Sequence, residues 1–182
     1  MTDKMTMPNK IAGEHIYLRP ITYQDSDLII KWRNQENVRK FFIYQKDFTK
    51  EGQKRWMMEQ IEPGHAFQFI VCENENDRPI GCTYLRDYDE NNHKAEYGVF
   101  IGEESMRGKG LGKEMLNLTL KFAYEHLHLH KVFARALADN PASINCFLAC
   151  GFEKEAHLRD EVRIENAYQD VIFLGKINPK EA

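Results

Sequence analysis

The fold is decided by residues 99–113, which read VFIGEESMRGKGLGK. A β-rich run ends near Ile101, a loop with Gly108, Gly110 and Gly112 follows, and an apolar-periodic stretch begins after the loop. Glycines let backbone amides approach a bound group closely, and a helix start adds unpaired N–H groups and a positive dipole end. This order of strand, glycine loop and helix predicts a binding site for a pyrophosphate.

Two familiar phosphate-binding loops do not fit this spacing. A Walker A loop needs Ser or Thr after its Gly-Lys pair, but Glu114 follows Lys113, and Arg107 stands where the first glycine belongs. The dinucleotide pattern GxGxxG also fails, because the glycines are spaced GxGxG and no βαβ unit opens the chain. A glycine-rich turn without a ligand remains the alternative at this point.

Hydrophobic periodicity on both sides of the loop predicts an α/β fold with a mixed sheet. Before the loop, the strand HIYLRPI leads into one helix capped by Thr22 and Asp25 and a second helix that begins at Thr49 and ends before Pro63. Three strands follow, the first two forming an antiparallel hairpin across NENDR. After the loop come a long helix, a strand, a short helix that ends at Gly151, and two more strands.

Composition predicts one soluble domain with its own core. The chain has 182 residues, 42% of them hydrophobic and 29% charged, and no run approaches the ~20 apolar residues that span a bilayer. The net charge of −3 gives no general attraction to nucleic acid or membrane surfaces. The N-terminus lacks the apolar segment of a secretory signal. We therefore expect a flexible tail over residues 1–10, a single domain over residues 11–182, and a cytoplasmic location.

Cysteines and histidines do not predict a metal site. The four cysteines form no CxxC pair and are interpreted as buried thiols in a reducing compartment. They are Cys72, Cys82, Cys146 and Cys150. The histidines of HLHLH (residues 126–130) would share one face of a strand, but the preceding pattern is helical, and positions i and i+2 of a helix diverge. No metal is expected.

Two segments of the chain resemble the acetyl-CoA signatures of the GNAT superfamily of N-acetyltransferases. Arg107-x-x-Gly110-x-Gly112 after a strand is similar to the family pattern Gln/Arg-x-x-Gly-x-Gly/Ala. NPASINCFLACGF (residues 140–152) resembles the second CoA segment, in which Asn begins a short helix that ends in Gly-Phe. The resemblance covers nearly the whole chain and implies a GNAT-like, mostly antiparallel sheet flanked by helices. It also implies acetyl-CoA as co-substrate.

The resemblance assigns CoA contacts to both segments. It implies that the loop amides hold the pyrophosphate, that the preceding strand pairs through its backbone with the pantetheine arm, and that the second segment lines this arm. The implied CoA-binding residues are Val99, Phe100, Ile101, Arg107, Gly108, Lys109, Gly110, Leu111, Gly112, Lys113, Asn140, Ser143, Asn145 and Phe147.

Proton transfer needs residues of its own. An amine with a pKa near ~10.4 arrives protonated at neutral pH and must lose a proton before it attacks a thioester. Glu96, three residues before the stretch that would pair with pantetheine, resembles the base of many GNAT enzymes, with a solvated strand carboxylate as the alternative. Many relatives have Tyr where this chain has Phe147, so Ser143 is the second catalytic candidate, with positioning of CoA as its alternative role. Tyr168 is a further candidate acid or substrate wall.

The acceptor site is predicted on the early helix. Trp32, Arg33, Asn34 and Arg39 combine aromatic and polar groups that suit a flat or anionic substrate, although Trp32 could equally be core and the arginines a solvated face. WRNQENVRKFF (residues 32–42), the helix after Thr49 and LRDEVRIENAYQD resemble the branch acting on ribosomal-protein N-termini, polyamines and nucleotide-linked aminosugars.

The sequence thus predicts acetyl transfer from acetyl-CoA to a small amine or a peptide N-terminus by direct attack. We expect no nucleic acid or membrane partner, and we expect the assembly, if any, to be a homodimer. A catalytically weak acyl-CoA sensor is the alternative, since position 147 lacks a hydroxyl. An RNA-binding protein is disfavoured because the chain has no basic stripe.

Overall fold

The computed structural model describes residues 7–180, which form an α/β fold around an eight-stranded sheet. The strands are β1 (Ile11–Ala12), β2 (Ile16–Pro20), β3 (Phe67–Glu73), β4 (Pro79–Asp89), β5 (Lys94–Ile101), β6 (Lys131–Leu137), β7 (Glu153–Ile164) and β8 (Ala167–Ile177). Their order across the sheet is β1-β2-β3-β4-β5-β6-β8-β7. Only the β5–β6 neighbours are parallel. The predicted mixed, mostly antiparallel sheet is confirmed.

Helices flank this sheet on both faces. They are α1 (Ser26–Asn34), α2 (Glu36–Arg39), α3 (Lys50–Trp56), α4 (Leu111–Glu125) and α5 (Pro141–Ala149). Helix α3 continues as one π-helical turn to Ile61, and a 3-10 turn leads into α1 and another precedes the glycine loop. The predicted element order is confirmed, with β1 and α2 as additions. These two elements are too short to produce a periodic pattern.

Side chains of alternate strand residues fill two cores, one on each face of the sheet. The larger core holds the buried stripe of α4, and its predicted members are all buried: Met115, Leu116, Leu118, Phe122 and Ala123. The smaller core contains Ile29 and Trp32 of α1, which pack with β3 to β5 side chains such as Phe100. Helices α4 and α5 therefore cover one face, and α1 to α3 cover the other.

Predicted capping residues lie at the helix starts. The Thr49 hydroxyl accepts a hydrogen bond from the Gly52 N–H at 3.0 Å, which caps α3. The Asp25 carboxylate accepts hydrogen bonds from the backbone N–H and hydroxyl of Thr22 at 2.8 and 2.9 Å, which fixes the turn before α1. Gly151 follows α5 in the left-handed region, with φ +82°. Local chemistry thus sets these boundaries.

Several smaller predictions concern the periphery. Part of the predicted tail, residues 1–6, lies outside the described residues; of the remainder, Met7 packs against the larger core and the Lys10 ammonium lies 3.7 Å from the Tyr17 ring centroid. The described cysteines are free thiols, but Cys146 is half-buried, so the prediction that all four are buried is wrong there.

The described chain carries neither a membrane-spanning helix nor a metal cluster. None of its helices has the length and apolar character that crossing a membrane requires. Between residues 7 and 180, no three His, Cys, Asp or Glu side chains are grouped so that they could hold a metal ion. Helix α4 ends at Glu125 with His126 as its C-cap, and His128 and His130 lie in the irregular segment that follows.

Candidate functional site

Strands β5 and β6 separate in the middle of the sheet. They pair only from Lys94 to Glu96 of β5, opposite Lys131 to Phe133 of β6. Beyond this point the two strands have no common ladder, and a cavity of 1090 Å³ lies against both of them. Side chains from α1, α3, α5 and residues 41–48 complete its wall. We call this space the central cavity and residues 41–48 the roof segment.

The glycine loop lies between the end of β5 and the start of α4. Gly108 and Gly110 have φ +73° and +78°, in the left-handed region that favours glycine. No atom lies within 4 Å of the position that a Cβ would take at either residue. Gly110 immediately precedes α4; the Lys113 N–H donates to its carbonyl at 3.3 Å, whereas the first N–H groups of a helix have no carbonyl of the preceding turn to bind. The loop thus has the form of an anion site at a helix start, and its role in binding stays a prediction.

Arg107 fastens this loop to the rest of the site. Its Nε donates to the Ile101 carbonyl at 3.1 Å and its Nη1 to the Asn37 carbonyl at 3.4 Å, while the buried Nη2 has no partner among the described residues. The side chain also lines the central cavity. Arg107 thus joins the loop to β5 and α2, a positioning role that the motif alone does not reveal.

The second predicted CoA segment forms another part of the cavity wall. The Asn140 side-chain oxygen accepts the Ser143 N–H at 3.2 Å and caps α5. Phe147 is buried and packs edge-on against Tyr97, with 5.8 Å between ring centroids. Asn140, Ser143 and Phe147 all line the central cavity. The segment therefore faces the gap beside β5.

The other predicted CoA contacts divide into three groups. Those that line the central cavity are Val99, Phe100, Ile101, Arg107, Gly112, Asn140, Ser143 and Phe147. Those that are exposed on the glycine loop and the first turn of α4 are Gly108, Lys109, Gly110 and Lys113. The third group comprises Leu111, whose side chain is buried in the larger core, and Asn145, which is exposed outside the cavity wall. Their side chains are not placed to contact a ligand in the cavity.

Glu96 is buried in the cavity wall between two arginines. Only 3% of the residue is exposed. Its carboxylate accepts hydrogen bonds from Arg86 Nε at 2.9 Å, from Arg135 Nε at 3.0 Å and from Arg135 Nη2 at 2.9 Å. Burial raises the pKa of Glu96, but the hydrogen bonds from Arg135 and Arg86 outweigh it, so the pKa lies below its usual range. The carboxylate is therefore ionised at neutral pH, and a lower pKa weakens it as a base.

Sequence reasoning missed both arginine partners. Arg86 lies directly opposite Glu96 in the β4–β5 register. Arg135 is two residues beyond Phe133, which pairs with Glu96 across the short parallel ladder. The alternation of side chains brings all three charges to one face. Only the strand register, which single-sequence patterns do not provide, could have identified this cluster.

Trp32 is a core residue rather than part of an acceptor wall. The side chain is fully buried, and its indole Nε1 donates to Glu103 Oε1 at 2.9 Å. Its ring contacts Phe100 edge-on, with centroids 6.2 Å apart. Trp32 does not line the central cavity. The prediction of a substrate contact is corrected here, since consecutive helix residues point about 100° apart and only its neighbour Arg33 faces the cavity.

Arg33 lines the central cavity beneath the roof segment. Its guanidinium carbon lies 3.2 Å from the Phe42 ring centroid and 4.4 Å from that of Phe48. Nη2 donates to the Tyr44 carbonyl at 3.3 Å. Nε and Nη1 are buried and have no hydrogen-bond partner within residues 7–180. Burial lowers the pKa of Arg33 to about 10, which still leaves the side chain charged at neutral pH.

The remaining predicted acceptor residues hold the roof segment or lie elsewhere. The Asn34 side chain donates to the Phe48 carbonyl at 2.9 Å and accepts the Phe48 N–H at 2.8 Å. Arg39 pairs with Asp47 at 2.6 Å. Asn34 and Arg39 thus fasten the roof and do not line the cavity. Tyr168 on β8 is 63% exposed and outside the cavity wall, so the structure does not bring it to this site.

Tyr84 is a further cavity residue that the sequence did not single out. A Cβ at Gly98 would come within 2.4 Å of the Tyr84 ring and hydroxyl, so the ring lies directly on β5. The residue lines the central cavity, and burial raises the pKa of its hydroxyl, which is therefore protonated at neutral pH. This close contact requires glycine at position 98, a relation that becomes visible only with the β4–β5 pairing.

Comparisons with known proteins identify the family and the fold. The sequence model of the family described as "Acetyltransferase (GNAT) domain" matches residues 15–153. The chain is 25% identical to the probable N-acetyltransferase YjcK of Bacillus subtilis, over 94% of the chain and 98% of that protein. It is 26% identical to spermidine N(1)-acetyltransferase of Vibrio cholerae, with 87% and 91% covered. A crystal structure of spermidine N-acetyltransferase from Vibrio cholerae, in complex with CoA and spermine, superimposes with a TM-score of 0.84 at 23% identity, covering 91% and 96%.

Proposed function

The chain belongs to the GNAT acetyltransferase family, and from this premise we propose that it transfers the acetyl group of acetyl-CoA to a primary amine by direct attack. The observation that carries the proposal is the separation of β5 from β6 beside an open glycine loop. Together these features offer a backbone edge for an extended arm and amide donors for a diphosphate.

We assign CoA to this gap through residues of three elements. The amides around Gly110 would hold the pyrophosphate, with Arg107 keeping the loop in place. The β5 edge from Val99 to Ile101 would pair with the pantetheine arm. Asn140 and Phe147 would line the opposite side, since both face the central cavity. CoA, which is charged and flexible, would thereby extend from the glycine loop along β5 toward Glu96.

The transfer step uses groups that surround this end of the cavity. The protonated amine loses one proton to the base, and its nitrogen attacks the thioester carbon and then loses its second proton. The carbon–sulfur bond breaks as the sulfur takes up a proton and leaves as the thiol. Glu96 is the proposed base, since it is the buried carboxylate of the cavity wall. Its arginine partners keep it ionised and ready to accept a proton, at the expense of basicity.

The residues of the cavity wall offer no strong acid to protonate the departing sulfur. Phe147 carries no proton to give, and Ser143 lines the cavity with its backbone N–H already held by Asn140. The Ser143 hydroxyl is the proposed hydrogen-bond donor to the sulfur. A thiol with a pKa near ~8.5 leaves without strong acid help, so this contact contributes modestly.

The acceptor belongs to one of three classes of primary amine. These are nucleotide-linked aminosugars, polyamines and protein N-termini. The relative that acts on spermidine supports a small, soluble amine. Arg33 in the cavity wall supports a substrate with a complementary negative charge.

A catalytically weak acyl-CoA sensor is the second candidate function. One observation favours it: Phe147 stands in the second CoA segment where a hydroxyl would assist the leaving group. A sensor would bind CoA normally and acetylate no amine faster than the uncatalysed reaction. Turnover therefore separates the two functions.

Binding of CoA to the glycine loop can be tested with a matched pair of variants. Gly110→Val adds a branched side chain at φ +78° beside the proposed phosphate site, and Gly64→Val adds the same side chain at φ +81° in a distant turn. Neither new Cβ meets an atom within 4 Å, so both variants carry the same backbone strain. Calorimetry should show CoA affinity reduced at least about tenfold for Gly110→Val alone. Equal CoA affinities in the two variants would show that the glycine loop does not bind the pyrophosphate.

Turnover is tested separately with an amine library. Wild-type protein is incubated with acetyl-CoA and nucleotide aminosugars, polyamines and peptide N-termini, and the products are identified by mass spectrometry. Acetylation of one class above the rate without protein supports the transferase. If CoA binds and every amine remains unmodified, the sensor function is the correct one.

The proposal also covers the cellular location and the oligomeric state of the protein. We place the enzyme in the cytoplasm, since its four described cysteines are free thiols. A homodimer is proposed because β7 is an edge strand with most of its residues exposed, and exposed edges favour pairing with another chain. Sedimentation velocity measures the assembly directly.

A further inference from the structure

Arg33 is a buried cation with no counter-ion beside it among the residues that the structure describes. The residue is 5% exposed, its one hydrogen bond goes to the Tyr44 carbonyl, and two of its three guanidinium nitrogens lack a partner among the described residues. An unpaired buried charge is costly, and proteins retain such groups mainly where they bind something. The aromatic rings of the roof segment cover the faces of the guanidinium but cannot neutralise it.

The neighbouring charges do not compensate Arg33. Arg86 and Arg135 are paired with Glu96, and Arg86 also lies 3.9 Å from the exposed Asp87. Asp87 is exposed to solvent, so Glu96 is the one buried anion of this wall against the two cations, and Arg107 of the same wall has no carboxylate partner among the described residues. The inner cavity wall therefore has an excess of positive charge, to which the buried Arg33 contributes.

The acidic residues at the cavity rim are too exposed to act as its counter-ions. Asp47 is paired with Arg39, with its side chain 75% exposed. Glu51 and Asp139 are exposed, as is Arg55 of the same rim. Water and salt screen such groups strongly, whereas the charge of a buried group acts at nearly full strength. The positive potential of the inner wall thus remains.

We propose that the acceptor of this enzyme is an amine that also carries an anionic group, a phosphate or a carboxylate, which binds Arg33. This inference rests on the proposed acetyltransferase function and narrows its substrate. A planar guanidinium with free in-plane N–H groups suits the two oxygens of such an anion. A polyamine, by contrast, would bring further positive charge to a wall that already has an excess.

The roof segment determines how the anion reaches this site. Nε and Nη1 of Arg33 are buried in the structure, and the rings of Phe42 and Phe48 lie beside the guanidinium. The segment is fastened at its far end by the two hydrogen bonds between Asn34 and Phe48. Binding therefore requires the roof to shift around this anchor, a loop rearrangement that is common in substrate binding.

Matched acceptor pairs test the proposal. The pairs are glucosamine 6-phosphate with glucosamine, phosphoethanolamine with ethanolamine, and a UDP-linked aminosugar with the free aminosugar; spermidine is added as the polyamine. For at least one pair, wild-type kcat/KM should be about tenfold to hundredfold higher for the anionic member, as expected for charge-assisted hydrogen bonds. Arg33→Met, which retains length and apolar contact with the roof, should reduce that ratio to near one.

Three controls keep the result specific. Lys121→Met removes one positive charge from the exposed face of α4, outside the cavity wall, and should leave the ratio unchanged. Arg33→Gln is a second variant in case methionine disturbs folding, which thermal unfolding reveals. CoA affinity should be equal in wild type and Arg33→Met; a loss of CoA affinity with unchanged acceptor preference would assign Arg33 to the phosphates of CoA and overturn the proposal.

The remaining outcomes are also decisive. Preference of the wild type for spermidine or for the neutral members, or an unchanged ratio in Arg33→Met, overturns the proposal. If no amine is acetylated although CoA binds, the transferase function is wrong. The anion site is then tested on its own, by calorimetry of the phosphorylated amines with CoA-saturated protein. If the wild type binds the phosphorylated amines and Arg33→Met does not, the anion site at Arg33 is supported. If the wild type does not bind them, the proposed site is wrong.

Discussion

Replacing Glu96 by Gln separates two roles of one buried carboxylate. The variant keeps the shape of the side chain but removes its charge and its ability to accept a proton. Removing one partner of a buried ion pair costs about 3–5 kcal/mol. The Arg86 and Arg135 side chains are 34% and 32% exposed, so water can solvate them in the variant. We therefore expect a loss of about 1–3 kcal/mol, or about 2–12 °C in melting temperature for a chain of this length.

The stability difference should depend on pH in a defined direction. Burial raises the pKa of Glu96 and the hydrogen bonds from Arg135 and Arg86 lower it further than burial raises it, so the folded pKa lies below the unfolded one. Such a group stabilises the fold fully above its unfolded pKa and loses this effect as the pH falls through the folded pKa. Unfolding curves of wild type and Glu96→Gln should be farthest apart at neutral pH and converge in acid.

The catalytic role of Glu96 has a different signature. General base catalysis is worth ~10²- to 10⁴-fold, so the rate of Glu96→Gln at neutral pH should fall by that order while acetyl-CoA affinity is retained. The deficit should shrink toward the amine pKa near ~10.4, because solution then supplies more free amine. Glu161→Gln, on the exposed surface of β7, is the matched control. Wild-type rates at every pH would show that Glu96 is not the base, and unchanged melting at neutral pH would refute the ion-pair argument.

Three further substitutions test particular contacts. Phe147→Tyr should raise turnover by less than about tenfold in steady-state assays, because a thiol leaves well without an acid; a rise of several hundredfold would show that sulfur protonation limits the reaction. Thr49→Ala removes the cap of α3 and should lower stability by about 1 kcal/mol in urea unfolding, whereas no change would mean that the Gly52 N–H finds water as readily. Trp32→Phe should cost about 1–3 kcal/mol of stability by leaving Glu103 unpaired, with acceptor KM unchanged; a raised KM would return Trp32 to the acceptor site.

Local signals in the sequence predicted the parts of the site that are themselves local. The glycine loop, the stripe of α4 and the cap at Thr49 each depend on residues close together in the chain, and the structure has them where the sequence places them. The Glu96 cluster depends on strand register instead: Arg86 is ten residues before Glu96 and Arg135 is thirty-nine after it. No periodicity within one segment contains that information.

The acceptor side shows a second limit of sequence reasoning. The sequence predicts one acceptor surface from three consecutive residues, Trp32, Arg33 and Asn34. Helix geometry sends them in three directions: into the core, into the central cavity and toward the roof segment. A short helix of this kind gives too few turns for its inward face to be recognised from composition alone.

The separation of β5 from β6 also has a consequence for amide hydrogen exchange. Interior strands normally protect their N–H groups on both sides, but beyond Glu96 no strand among residues 7–180 pairs with the β5 backbone on its β6 side. A ligand that pairs there supplies the missing hydrogen bonds and ties the two halves of the sheet together. Amide exchange in the last residues of β5 should therefore slow when CoA is added. Amides deep in α4 should respond only through the increase in the free energy of unfolding of the whole chain, which is about 2.7 kcal/mol when CoA is at a hundredfold excess over Kd. CoA binding should therefore also slow proteolysis of the chain wherever cleavage requires the fold to open.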